Sequence, residues 1–101
     1  MLLTTATALN TDYEVLGIVI GNKVRAAHVG RDIMAALKNL VGGEVKEYAD
    51  LMKQTREQAM KEMIAEAEKL GANGIIGIRF ASAQIASGMA EIIAYGTAVK
   101  I

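Results

Sequence analysis

Between Tyr13 and Val29 the stretch YEVLGIVIGNKVRAAHV places apolar and β-branched residues on both alternating faces, which predicts a strand or a bent hairpin arm. Leu16, Ile18, Ile20 and Val24 fall on one face, and Val15, Gly17, Val19 and Gly21 on the other. The two glycines keep that second face low, so another backbone can approach it. A turn beginning at Asn22 is the alternative and would shorten the strand.

The period changes after Gly30-Arg31-Asp32. Ile33, Met34, Leu37, Leu40 and Val41 recur at helical spacing and Gly42-Gly43 supplies a stop, which predicts a short amphipathic helix. From Glu44 to Leu70 a second, longer helix is expected, with Val45, Tyr48, Met52, Ala59, Met63, Ala67 and Leu70 on one stripe and Met60 and Ile64 widening it. Helical spacing makes its methionines core fillers before it makes them thioether ligands. Gly71 is the expected C′ residue. Lys53, Glu57 and Lys61 form a solvated ladder on the outer face, and Arg56 is expected on the inward-leaning side.

After an Asn73-Gly74 turn, the runs Ile75 to Ile85 and Met89 to Ile101 flank Ala86-Ser87-Gly88 and predict an antiparallel hairpin. Ala90, Ile92, Ala94, Gly96 and Ala98 share one face of the last strand, while Met89, Ile93, Tyr95, Val99 and Ile101 share the other. The small-residue face admits a helix or a neighbouring subunit at close range. The order β-α-α-β-β predicts an α+β fold: a small sheet containing antiparallel strands, covered on one face by a short and a long helix. Residues 1–101 are expected to form a single domain, without internal repeats.

Composition narrows the partners. Eleven Lys+Arg balance eleven Asp+Glu, so the chain lacks the positive field of a non-specific nucleic-acid binder, and three Tyr and one Phe offer few stacking platforms. No nucleic acid is expected. MLLTTATALN has no basic n-region, and no run approaches the roughly 20 apolar residues of a membrane span, so no membrane is expected and the location is read as cytoplasmic. Hydrophobic residues make up 52% of the chain. That exceeds the roughly 45–50% of ordinary domains, in a chain short enough to bury only about 60–65% of its unfolded surface. The surplus predicts a subunit interface, with the chain itself as partner.

Candidate chemistry is sparse. With no Cys, neither a thiolate metal site nor a cysteine nucleophile is available. His28 is the only histidine and cannot assemble a transition-metal set within one subunit, so it reads as structural unless symmetry brings several copies together. Glu62 and Glu66 stand one turn apart and could be multiplied in the same way, which gives His28, Glu62 and Glu66 as metal candidates and a metal ion as the conceivable cofactor. The glycines of Gly71 to Gly77 follow a helix and enter a strand, the reverse of a phosphate loop. Asp32 is placed to cap the short helix. No nucleophile–base pair stands out, so an enzyme is not expected, and an activity at subunit junctions using Arg31, Arg56 and a carboxylate is the outlying alternative.

An ordered set of segments then resembles a known family: Gly17-Ile18-Val19-Ile20-Gly21, Gly30-Arg31-Asp32, Asn39-Leu40-Val41-Gly42-Gly43, Tyr48, Arg56, Ala59, Leu70-Gly71-Ala72-Asn73-Gly74-Ile75-Ile76-Gly77-Ile78 and Tyr95-Gly96-Thr97-Ala98-Val99. Together they resemble the YbjQ-like family, an uncharacterised bacterial and archaeal group that carries a heavy-metal-binding label. The resemblance implies a dodecin-like subunit fold and a cyclic homo-pentamer. It also singles out Arg31, Asp32, Asn39, Gly43, Tyr48 and Arg56 as a polar, ligand-binding set of unknown ligand. Without Trp, the likeness to dodecins does not extend to flavin. The leading expectation is a non-enzymatic cytosolic homo-oligomer with a binding or assembly role; metal binding is the alternative.

Overall fold

A computed structural model of the chain describes residues 1–25, 44–86 and 89–101. The elements are β1 (Leu2–Leu3), β2 (Glu14–Arg25), the helix α1 (Glu44–Lys69), β3 (Gly74–Ala86) and β4 (Met89–Lys100). They form a small α+β fold in which one mixed sheet, ordered β1-β3-β4-β2, carries α1 on one face. β1 runs parallel to β3, and the other neighbours are antiparallel. The long helix and the hairpin lie where periodicity predicts them. The predicted short helix over 33–41, and the predicted arm beyond Arg25, lie outside the described residues.

α1 is held by one buried stripe. Ala59, Met63 and Ala67, at four-residue steps, are fully buried, and Met52, Met60 and Ile64 pack at the margins of the same core. Thr55 is buried in that stripe because its hydroxyl donates to the Leu51 carbonyl at 2.8 Å, which satisfies a polar group that would otherwise be costly to bury. Two expectations for the helix are corrected. Arg56 is exposed, and Leu70 is 48% exposed because the helix ends at Lys69 and the stripe stops short of it.

The stop itself is a Schellman motif: Gly71 N–H donates to Glu68 O (3.0 Å) and Ala72 N–H to Ala67 O (3.1 Å). Gly71 takes φ 80°, which a side chain would disfavour.

Two of the three register shifts in the sheet redistribute the faces. On β2, Val15 pairs with Val99 and Gly17 with Ala98, so Leu16 is an extra residue and packs against the core. Leu16 therefore does not share a face with Ile18 and Ile20, as strict alternation requires, and Val15 does not share one with Val19. On β3 the register jumps from Ile76↔Thr97 to Arg79↔Tyr95, three residues against two, which lets Ile75 and Ile78 both enter the core. β1 is the unpredicted strand. Leu2 N–H donates to Asn73 O (3.0 Å), Thr4 N–H to Ile75 O (3.1 Å) and Gly77 N–H to Ala6 O (2.7 Å), a pairing between segments distant in sequence that no local pattern marks.

The core joins Val19, Ile75, Ile78, Ile92, Ala94 and Ala98 of the sheet to Ala59, Met63 and Ala67 of α1. Gly21 makes the closest approach: a Cβ there would run into the Ala59 carbonyl oxygen and the Met63 amide nitrogen. The low face expected on β2 is thus the face on which α1 rests.

Candidate functional site

β2 is an edge strand of the sheet, opposite the two-residue β1. Antiparallel partners share a face, so Val19 and Gly21, opposite Gly96 and Ala94, face α1, whereas Ile18 and Ile20, opposite Thr97 and Tyr95, face away from it. Ile18 is 77% exposed and Ile20 53%, and Tyr95 beside Ile20 is also exposed. A long edge strand with branched apolar side chains in water is a surface that natural sheets ordinarily cover, shorten or charge.

Among the described residues two grooves flank α1, one on each side of its buried stripe. The first, of about 320 Å³, lies along β2 and is lined by Ile18, Val19, Ile20, Glu62, Glu66 and Leu70. Glu62 and Glu66, predicted to share one strip, are here brought beside the exposed edge. Glu66 accepts from Lys69 Nζ at 3.1 Å, an exposed pair that contributes well under about 1 kcal/mol. The second groove, of about 470 Å³, lies on the β3 side and is lined by Lys53, Arg56, Glu57, Met60, Lys61 and Phe80. Phe80 reaches it because it pairs with Ala94 on the helix-bearing face.

The candidate residues divide accordingly. His28, Arg31, Asp32, Asn39 and Gly43 lie outside the described residues, and Tyr48 is placed only as a helical position of α1. Arg56 sits in the second groove, with Lys53 and Lys61. Glu62 and Glu66 sit in the first, on the opposite flank of the helix. Arg56 and the two carboxylates therefore belong to different surfaces of the chain. Sequence reading missed Phe80 as a groove residue, although a lone Phe in a strand predicted to be exposed on one side is the signal that marks it.

The donor set bears on metal binding. Among the described residues no group of three or more His, Cys, Asp or Glu side chains is gathered tightly enough to hold an ion. Glu62 and Glu66 supply hard oxygen donors, a poor match to soft heavy metals, which favour thiolate and imidazole. A metal held there needs further ligands from outside the described part of one copy.

Among the described residues the fold is a small α+β arrangement with one helix laid across a mixed four-stranded sheet. A family model described as "Putative heavy-metal-binding" matches residues 1–101, and the chain belongs to that YbjQ-like family. A UPF0145 protein of Archaeoglobus fulgidus is 52% identical over 88 residues, covering 87% of this chain and 82% of that protein. One from Pseudothermotoga lettingae is 54% identical over 88 residues, covering 87% and 83%. The crystal structure of a protein of unknown function from Pediococcus pentosaceus, of the DUF74 family, superposes with a TM-score of 0.72 at 19% identity, covering 100% of this chain and 97% of that one. The likeness is one of fold. No helix among the described residues is long and apolar enough to cross a membrane.

Proposed function

We propose that the chain is a self-assembling, non-enzymatic subunit of the cytosol that builds a homo-oligomer, a cyclic pentamer in the form the family resemblance implies, with a binding or assembly role. The observation that carries this reading is the β2 edge, where Ile18 and Ile20 stand in water along a twelve-residue strand.

Native mass spectrometry with light scattering tests the reading. The expected result is one discrete assembly, five times the 10.7 kDa chain mass if the ring is a pentamer. A 10.7 kDa species at micromolar concentration overturns it.

A second reading, metal binding at sites multiplied by symmetry, is favoured by the placement of Glu62 and Glu66 in one groove beside that same edge and by the description of the family. Its ligands would come from more than one copy, with His28 as the candidate nitrogen donor. Metal analysis of Glu62→Gln/Glu66→Gln and of His28→Ala tests it, and full metal content in both rejects it.

A further inference from the structure

Resting on the self-assembly reading, we infer that neighbouring copies meet head to tail, the acidic groove beside β2 of one copy seating against the basic groove beside Phe80 of the next. The occupant of each groove is therefore a second copy of this chain.

The charge pattern of α1 carries the inference. Glu62 and Glu66 border the first groove, while Lys53, Arg56 and Lys61 outnumber Glu57 around the second. The chain is neutral as a whole, with 11 cationic and 11 acidic residues, so this polarity is a matter of placement along one helix and not of composition. Each groove also carries apolar side chains: Val19 and Leu70 at one, Met60 and Phe80 at the other. Desolvated apolar contact in the centre with charged groups at the rim is the usual arrangement of a specific interface.

Symmetry decides how such surfaces pair. A two-fold contact places each patch against its own copy. Here that sets Glu62 and Glu66 against a second Glu62 and Glu66, or the three cations against three more, with like charges facing across an apolar seam. A heterologous contact sets carboxylates against cations at every junction. Because the grooves occupy opposite flanks of the helix, each copy keeps its other groove free after binding a neighbour, so the contact propagates and, when its rotation closes, ends in a ring. The Lys69 pair with Glu66 does not block this, being exposed on both sides.

Charge reversal tests the pairing. Glu62→Lys with Glu66→Lys makes both grooves basic, and Lys53→Glu with Arg56→Glu and Lys61→Glu makes both acidic. Native mass spectrometry, with far-UV circular dichroism to follow the fold, is run on each variant and on the chain carrying all five changes. The expected result is loss of the assembled mass to a species near 10.7 kDa in each partial variant and recovery of the wild-type stoichiometry in the five-fold variant, whose grooves are again opposite in sign. Recovery also shows that the partial variants did not fail merely by misfolding. Wild-type assembly that persists in both partial variants, or loss without recovery in the five-fold variant, overturns the head-to-tail contact while leaving self-assembly standing. A monomeric wild type overturns both.

Discussion

Gly21 of β2 lies directly under Ala59 of α1, close enough that a single Cβ would strike the Ala59 carbonyl. This contact holds the flank bearing Glu62 and Glu66 beside the edge bearing Ile18 and Ile20. It joins the helix to an edge strand of the sheet, the strand against which the helix packs most.

Gly21→Val is therefore expected to lift α1 from β2. Overpacking typically costs about 1–3 kcal/mol, and a clash with helix backbone belongs at the upper end because backbone yields less than a side chain. A midpoint lowered by 10 °C or more in a thermal melt at fixed protein concentration is the expected outcome, since about 1 kcal/mol corresponds to roughly 4–8 °C in a domain of this size. A midpoint within 2 °C of wild type would show that the helix does not rest on Gly21.

What the sequence made legible follows from which forces are local. The 3.6-residue period of Met52, Ala59, Met63 and Ala67 marks the helix, and Gly71 marks its end, because both act within a few residues. Alternation marks β2, β3 and β4, but strict alternation misplaced Leu16 and Val15, since a bulge depends on the partner strand and not on the strand's own pattern. β1 escaped for the same reason: Leu2 and Leu3 pair with Gly74 and Ile75, residues distant in sequence. The carboxylate strip of Glu62 and Glu66 was readable from helical spacing. Its position beside Ile18 and Ile20, and the opposed placement of Arg56 near Phe80, depend on which way the helix lies across the sheet.

Asn73 closes the sheet beside its last residue. Its Oδ1 accepts from the Ile101 amide at 2.7 Å and its Nδ2 donates to the Ile101 main-chain oxygen at 3.1 Å, so the side chain mimics a strand partner. Asn73→Ala is expected to cost about 1 kcal/mol, since both bonds are exposed. Amide hydrogen exchange at Ile101 is expected to accelerate at least several-fold. Asn73→Asp keeps the acceptor and loses the donor, and its exchange rate should fall between the two. Unchanged exchange in Asn73→Ala would remove the side chain from the end of the sheet.

Metal uptake, on the reading that ligands come from several copies, depends on assembly. Incubation with Zn²⁺ or Ni²⁺, desalting and elemental analysis are expected to show bound metal in the assembled protein and a loss of at least ten-fold in an assembly-deficient variant. Equal metal content per chain in the monomer would place the site within one subunit. Hard carboxylate donors such as Glu62 and Glu66 also predict that a soft ion such as Hg²⁺ gains no preference over Zn²⁺.

Ile18→Lys with Ile20→Lys supplies that variant. Both side chains point away from α1 and stand mostly in water, so the exchange removes little from the core and is expected to change the stability of the isolated subunit by no more than about 0.5 kcal/mol per site. Lysine on an edge strand opposes strand addition, because docking another chain there would desolvate the ammonium groups. The expected outcome is a species near 10.7 kDa by light scattering with the far-UV spectrum of wild type. Assembly at wild-type stoichiometry would show that β2 is not the interface and would move the search to the Tyr95 face of β4. Unfolding would show that Ile18 and Ile20 are covered within the subunit. Only dissociation with retained fold agrees with an edge that is exposed in one copy and covered by the next.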